Sequence, residues 1–129
     1  MFQWMPESAG ELVSLKVVGR LTDADYFDTL PKLIAVAERE GRLRLVADLS
    51  EFEGVEWQLA YEQGAFGKPY WGKLKRVALV GTQHWTVLAA RIAADLPADV
   101  RIFEASKYAA ALDWAKSDVP DPAEVPLVP

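Results

Sequence analysis

Leu43-Arg44-Leu45-Val46-Ala47-Asp48-Leu49 is a short, almost continuous apolar run. Such runs are typical of central strands in parallel sheets, because helices cover both faces of those sheets. A second run of this kind, Leu74–Val80, ends at Gly81. Two buried strands with a helix-length segment between them predict a parallel β-α-β unit.

The residues before this run predict a hairpin and a helix. Residues 11–18 alternate in polarity and place Val13, Leu15 and Val17 on one face, which is the period of a half-buried strand. Residues 2–5 are a candidate antiparallel partner strand. Thr22 is a good helix N-cap, and Gly41 is a typical helix terminator, so a helix is expected between them.

The residues after the first run predict three more helices and one strand. We expect helices over about 55–68, 84–94 and 106–116, the last capped by Ser106, and a strand over 100–103. The predicted fold is α/β, with a mostly parallel sheet, an N-terminal antiparallel hairpin and four helices. The prolines after residue 117 predict an extended or disordered tail over 118–129, which leaves one domain over 1–117.

Composition limits the classes of function. The chain has 129 residues, 51% of them hydrophobic and 26% charged, a balance typical of one globular domain. Its formal net charge of −5 argues against nucleic acid as a partner. The absence of cysteine excludes disulfides and thiol catalysis. No apolar run approaches about 20 residues, and the N-terminal residues do not form a secretion signal, so a cytoplasmic protein without transmembrane segments is expected.

Aromatic residues are concentrated in the predicted second helix and its flanks. At about 100° per residue, aromatic side chains fall on more than one side of this helix, whereas packing on one sheet needs a single apolar stripe. The second stripe has three alternative occupants: other parts of the same chain, a small apolar ligand or lipid surface, or a second copy of the chain. The candidate binding residues are Trp57, Tyr61, Phe66, Tyr70 and Trp71.

A group of cations surrounds the end of this aromatic segment. Aromatic rings beside lysines are what an interfacial segment presents to anionic lipid headgroups. The alternative interpretation is an ordinary solvated connection before a strand. The cations are Lys68, Lys73, Lys75 and Arg76.

Few residues suggest catalysis. Asp48 closes a central strand, where open α/β sheets place active residues, but a hydrogen bond to amides of its own turn is the simpler role, and the same holds for Ser50. His84 is the single histidine and cannot form a two-histidine metal site. Glycine-rich phosphate loops are absent. The sequence predicts neither an enzyme nor a cofactor.

The order of predicted elements and several short strings resemble the bacterial SpoIIAA-like family. Its members have a STAS-type fold, which has also been compared with CRAL-TRIO lipid-binding domains. The strings are Gly19-Arg20-Leu21-Thr22-Asp23-Ala24-Asp25-Tyr26, Pro31, Arg44-Leu45-Val46-Ala47-Asp48-Leu49, Phe52-Glu53-Gly54, Arg76-Val77-Ala78-Leu79-Val80-Gly81 and Trp85.

The resemblance implies a binding or regulatory role. Anti-sigma-factor antagonists of this kind are switched by phosphorylation of a serine at the start of the helix after the central strand. That pattern places the site near Val55 or Glu56, where this chain has no hydroxyl, and the nearest serine is Ser50. The resemblance therefore leaves two functions open: binding of an apolar or lipid-like ligand, and a regulatory protein-interaction module that is possibly homodimeric.

Overall fold

The computed structural model describes residues 1–56, 72–94 and 98–120. A five-stranded sheet with the order β1-β2-β3-β4-β5 forms its centre. β1 pairs with β2 in antiparallel orientation, and each later neighbour pairs in parallel. The predicted N-terminal hairpin and parallel sheet are thus confirmed. The strands are β1 (Phe2–Trp4), β2 (Leu12–Thr22), β3 (Leu43–Glu56), β4 (Leu74–Val80) and β5 (Asp99–Phe103).

Within the described residues, three α-helices cover the two faces of the sheet. They are α1 (Asp23–Glu40), α2 (Gln83–Ala93) and α3 (Tyr108–Lys116). α1 and α2 contribute to the hydrophobic core on one face, and α3 contributes to the core on the other. The sequence also predicts a helix over 55–68. Its predicted first residue is wrong, because Val55 and Glu56 belong to β3. Its other residues lie outside the described part of the chain.

The alternation of side chains along the strands assigns residues to the two cores. Val13, Leu15 and Val17 of β2 face α1, as their spacing predicts. Leu12 and Val46 belong to the core under α3. Because each central strand supplies apolar side chains to both faces, the parallel strands are nearly continuous apolar runs.

β3 is longer than the predicted strand over 43–49. It pairs with β4 only from Leu43 to Asp48, and among the described residues its continuation to Glu56 pairs with β2. The register is irregular at two places, so that four steps along β2, from 16 to 20, match six along β3, from 48 to 54. The two extra residues in β3 form bulges, which bend a strand and increase its twist. β2 and β3 therefore extend together beyond the end of β4.

Capping fixes the start of α1 as the sequence predicts. The Thr22 hydroxyl accepts a hydrogen bond from the Asp25 backbone N–H at 3.2 Å, and the Thr22 N–H donates to the Asp25 carboxylate at 3.0 Å. The helix ends at Gly41, which has a φ of 80°.

The predicted cap at Ser106 is wrong: residues Ala105–Lys107 form a 3-10 turn, and α3 starts after it with no side-chain cap.

This cap makes stability depend on pH in the acid range. Hydrogen bonds from the Thr22 backbone and hydroxyl hold the pKa of Asp25 below its usual value. A carboxyl whose pKa is lower in the folded state stabilises that state above its unfolded pKa, and this contribution is lost as the pH falls through the folded pKa.

We expect Thr22→Ala to lower the free energy of unfolding by about 1 kcal/mol at pH 7. Urea unfolding measured between pH 7 and pH 2 should show that acid lowers the free energy of unfolding less for Asp25→Asn than for the parent protein. Equal pH profiles would contradict this role, and Asp28→Asn, on an exposed position of the same helix, is the matched control.

Candidate functional site

The carboxyl ends of β3, β4 and β5 lie at one edge of the sheet, which is where open α/β sheets usually bind ligands. Asp48 and Ser50 are at this edge. The Ser50 N–H donates to Asp48 Oδ1 at 3.0 Å, as predicted, but the predicted turn is wrong, because both residues lie within β3 at its first bulge. The Ser50 side chain is exposed. A regulatory role for either residue stays a prediction.

Gly81 allows β3 and β4 to approach closely at this edge. A Cβ on Gly81 would lie 3.0 Å from the Leu49 carbonyl carbon and 3.1 Å from the Ser50 nitrogen. Its φ of +147° is also a backbone conformation that side-chain-bearing residues rarely adopt. The Gly81 N–H donates to the Phe103 carbonyl oxygen at 3.1 Å, which connects β5 to the same place. Gly81 therefore lies where the end of β4, the end of β5 and the middle of β3 meet.

An aromatic cluster lies beside this edge, on the face covered by α1 and α2. It consists of Phe52, His84 and Trp85. The Trp85 ring centroid is 4.6 Å from that of Phe52 and 4.6 Å from that of His84, and both pairs meet edge to face. Phe52 and Trp85 pack against the core and are partly buried, whereas His84 is exposed. A Cβ on Gly54 would lie 3.9 Å from the Trp85 ring, in ordinary contact.

The predicted binding residues follow this cluster directly in the chain. Trp57, Tyr61, Phe66, Tyr70 and Trp71 lie outside the described residues and stay predictions. Val55, two residues before Trp57, is 44% exposed although it is apolar. Val55 is thus an exposed apolar side chain between the exposed Glu53 and Glu56.

One of the four predicted surface cations, Arg76, is buried. Arg76 is only 3% exposed and points into the core under α3, so it is not available to a membrane surface. Its place in the group is therefore wrong. Lys73 and Lys75 are exposed, and Lys68 lies outside the described residues.

Two buried arginines at the opposite edge are a feature that the sequence analysis missed. Arg44 of β3 and Arg76 of β4 are paired in the sheet register, and each is 3% exposed. Arg44 Nη1 donates to the carbonyl oxygens of Ala115 at 2.9 Å and of Ser117 at 3.0 Å. Arg76 Nη1 donates to the Trp114 carbonyl oxygen at 2.9 Å. The pair thus donates to carbonyl groups at and just after the C-terminal end of α3, where the last carbonyls of a helix lack i+4 partners.

Acidic groups and an aromatic ring complete the surroundings of the two arginines. Arg44 Nε donates to Glu11 at 2.6 Å, and Arg44 Nη2 donates to Asp118. These contacts hold the pKa values of both carboxyls below their usual range. The Arg76 guanidinium lies 4.7 Å from the Trp114 ring centroid, a cation–π contact. An arginine near the start of each of the two apolar runs was a weak signal in the sequence.

The predicted tail begins with residues that this arginine pair contacts. Asp118 accepts a hydrogen bond from Arg44, and the Val119 carbonyl oxygen accepts one from Arg76. Residues 121–129 lie outside the described part of the chain. The division into a domain over 1–117 and a tail over 118–129 stays a prediction.

Two further observations concern metals and membranes. Over residues 1–56, 72–94 and 98–120, no three or more His, Cys, Asp or Glu side chains lie close enough together to hold a metal ion. None of the helices in that part of the chain combines the length and the apolar composition needed to cross a membrane.

The sheet order, the helix placement and the sequence define the class of this domain. The SpoIIAA-like family model matches residues 12–116, so the chain belongs to the SpoIIAA-like family. Its fold is similar to the crystal structure of an uncharacterized protein from the DUF3478 family with a SpoIIAA-like fold, from Shewanella loihica PV-4. The two share 23% sequence identity and a TM-score of 0.67, over 89% of this chain and 90% of the other. No curated protein shows significant similarity to the chain. The relation to CRAL-TRIO domains stays a prediction.

Proposed function

We propose that this SpoIIAA-like domain is a non-catalytic binding module that takes a small apolar or lipid-like ligand at its aromatic edge. The observation that carries the proposal is the cluster of Phe52, His84 and Trp85 at the carboxyl edge of the sheet. Ligand pockets are mostly apolar and aromatic with a few polar groups. The Asp48 carboxylate of the same edge is already hydrogen-bonded to the Ser50 N–H, which favours binding over catalysis.

The proposed surface continues from Val55 into the aromatic segment. Val55 is 44% exposed and stands two residues before Trp57 in the chain. The next residues in the chain supply further aromatic side chains for an apolar ligand. They are Trp57, Tyr61, Phe66, Tyr70 and Trp71.

An anionic membrane surface is the related alternative for this edge. Lys73 and Lys75 are exposed and follow Tyr70 and Trp71 closely in the sequence. Basic residues near an anionic surface each contribute about 1 kcal/mol of attraction. This contribution falls as salt screens the charges, whereas capture of a fatty acid in an apolar cleft depends less on salt.

The test of the ligand proposal is titration with fatty acids and with phosphatidylglycerol vesicles, followed by tryptophan emission. We expect a blue shift with the parent protein and at least a tenfold weaker response, roughly, with Val55→Glu, because burying the new carboxylate is unfavourable. Val119→Glu is the matched control, since Val119 is also a valine, is 70% exposed and lies beside Arg76 at the opposite edge of the sheet. Unchanged emission over the whole panel, or equal loss in both variants, would contradict the proposal.

A regulatory protein-interaction module, either monomeric or homodimeric, is the second candidate. It is supported by membership of the SpoIIAA-like family and by the extension of β2 and β3, which carries exposed charges on Glu51, Glu53 and Glu56. A homodimer through the aromatic segment predicts a mass in solution that depends on concentration. Trp57→Glu or Phe66→Glu should then give a monomer that is still folded. A parent protein that is monomeric at all concentrations would reject the homodimer.

Phosphorylation of Ser50 is a weaker third candidate. The side chain is exposed and accessible to a kinase, but a phosphate there would lie close to Asp48, whose carboxylate accepts the Ser50 N–H. Like charges at such short range repel. Intact mass of protein recovered from its host would show about 80 Da of added mass per phosphate if the switch operates.

A further inference from the structure

A groove lies between β1 and the exposed side of α1, at the end of β2 opposite to the aromatic cluster. Its volume is about 490 Å³, within the range of small-molecule sites. The loop between β1 and β2 closes one end through Ser8, Ala9 and Gly10. The side walls are formed by Trp4 on β1 and by Ala35 on α1.

The walls of the groove are apolar. Trp4 pairs with Leu15 in the register of β1 and β2, and Leu15 belongs to the core on the α1 face, so the indole lies on the same face as α1. It remains 36% exposed. Val13 and Val36 also line the groove. An exposed tryptophan beside a concave apolar surface is suited to stacking with an aromatic ring.

The charges of the groove are all of one sign. Lys32 and Arg39 line it from α1, and their spacing of seven residues places them on the same side, two turns apart. Among the described residues no carboxylate lines the groove, although the chain has 19 acidic and 14 basic residues. Their ion pairs with Asp28, at 3.5 Å, and Glu40, at 3.3 Å, are surface pairs that a ligand can replace.

We infer that this groove binds a small aromatic carboxylate, with its ring against Trp4 and its carboxylate held by Lys32 and Arg39. The apolar walls and the exclusively cationic lining select a ligand that has an apolar body and a negative charge. The site is independent of the proposed function, because it shares no described residue with the aromatic edge.

The experiment is calorimetric titration of the full chain with 1-naphthoate and with the neutral 1-naphthalenemethanol. We expect naphthoate to bind more tightly than the alcohol. Ala35→Phe, at an exposed position, should fill the groove and weaken both ligands by at least about tenfold, because the volume for the ring is lost. The double substitution Lys32→Glu with Arg39→Glu should weaken naphthoate by at least about tenfold and the alcohol much less.

Lys107→Glu with Lys116→Glu is the matched control. It changes the net charge by the same amount as the groove double variant, but its residues lie on the opposite face, one just before α3 and one in α3. It should leave naphthoate binding within about twofold of the parent value. No binding of naphthoate at millimolar concentration would overturn the inference. Binding that survives Ala35→Phe, or equal affinity for naphthoate and the alcohol, would also overturn it. Val55→Glu should not affect this titration, so failure of the groove and failure of the aromatic edge are distinguishable.

Discussion

Replacing Arg44 with alanine is expected to lower the free energy of unfolding by about 3 kcal/mol. The guanidinium is buried and donates to the carbonyl oxygens of Ala115 and Ser117 and to the carboxylate of Glu11. Alanine would leave the two carbonyl groups without this donor. It would also remove a charge that faces two carboxylates. Urea unfolding at pH 7, followed by circular dichroism, measures the difference.

Arg42→Ala is the matched control for this substitution. Arg42 Nε also lies 3.0 Å from a Glu11 oxygen, but its side chain is 50% exposed, and exposed ion pairs contribute little. We expect a loss of about 0.5 kcal/mol or less. Arg44→Lys should be intermediate, because an ammonium keeps the charge but lacks the planar fork that reaches several acceptors. Equal losses for Arg44→Ala and Arg42→Ala would contradict the assigned role of the buried arginine.

Gly81→Ala is expected to have an effect of similar size, about 3 kcal/mol. Two independent costs combine at this position. The φ of +147° is unfavourable for alanine, and the added methyl group would lie 3.0 Å from the Leu49 carbonyl carbon. β3 near Leu49 and the end of β4 would have to move apart, which would also disturb the hydrogen bond between Ser50 and Asp48.

Gly41→Ala separates these two costs. Gly41 also has a positive φ, of 80°, but a Cβ there would meet nothing within 4 Å. We expect a loss of about 1 kcal/mol from the backbone alone. Thermal and urea unfolding of both variants measure the difference. If Gly81→Ala were no more destabilising than Gly41→Ala, the close approach of β3 and β4 would be wrong.

Patterns of local polarity were sufficient to predict much of the fold. The alternation at Val13, Leu15 and Val17 and the apolar run over 43–49 place β2 and the first half of β3 correctly. Thr22 and Gly41 mark the two ends of α1 because capping depends on a few adjacent residues. These features depend on the local sequence, which explains why they were predictable.

The continuation of β3 was not predictable from local pattern. Glu51 and Glu53 interrupt the apolar run, and two bulges disturb the alternation that identifies a strand. The pairing with β2 stabilises this part of β3, and such pairing depends on residues distant in the sequence. Arg44 and Arg76 were unpredictable for a similar reason. Charged residues are normally exposed, and their partners lie at the distant C-terminal end of α3.

The candidate site was predictable only in part. The hydrogen bond between Asp48 and the Ser50 N–H follows from residue type and position, although it lies at a bulge of β3 and not in a turn. The contact between Phe52 and Trp85 joins residues from two elements, so it required the fold. The groove at Trp4 likewise depends on how β1 and α1 pack beside each other.

Native mass spectrometry of the full chain, taken directly from its host cells, tests binding at the aromatic edge most directly. We expect a folded protein that carries an apolar small molecule, with a smaller bound fraction in Val55→Glu and an unchanged bound fraction in Val119→Glu. A protein recovered without any bound small molecule, together with unchanged tryptophan emission in the fatty-acid and vesicle titrations, would contradict it.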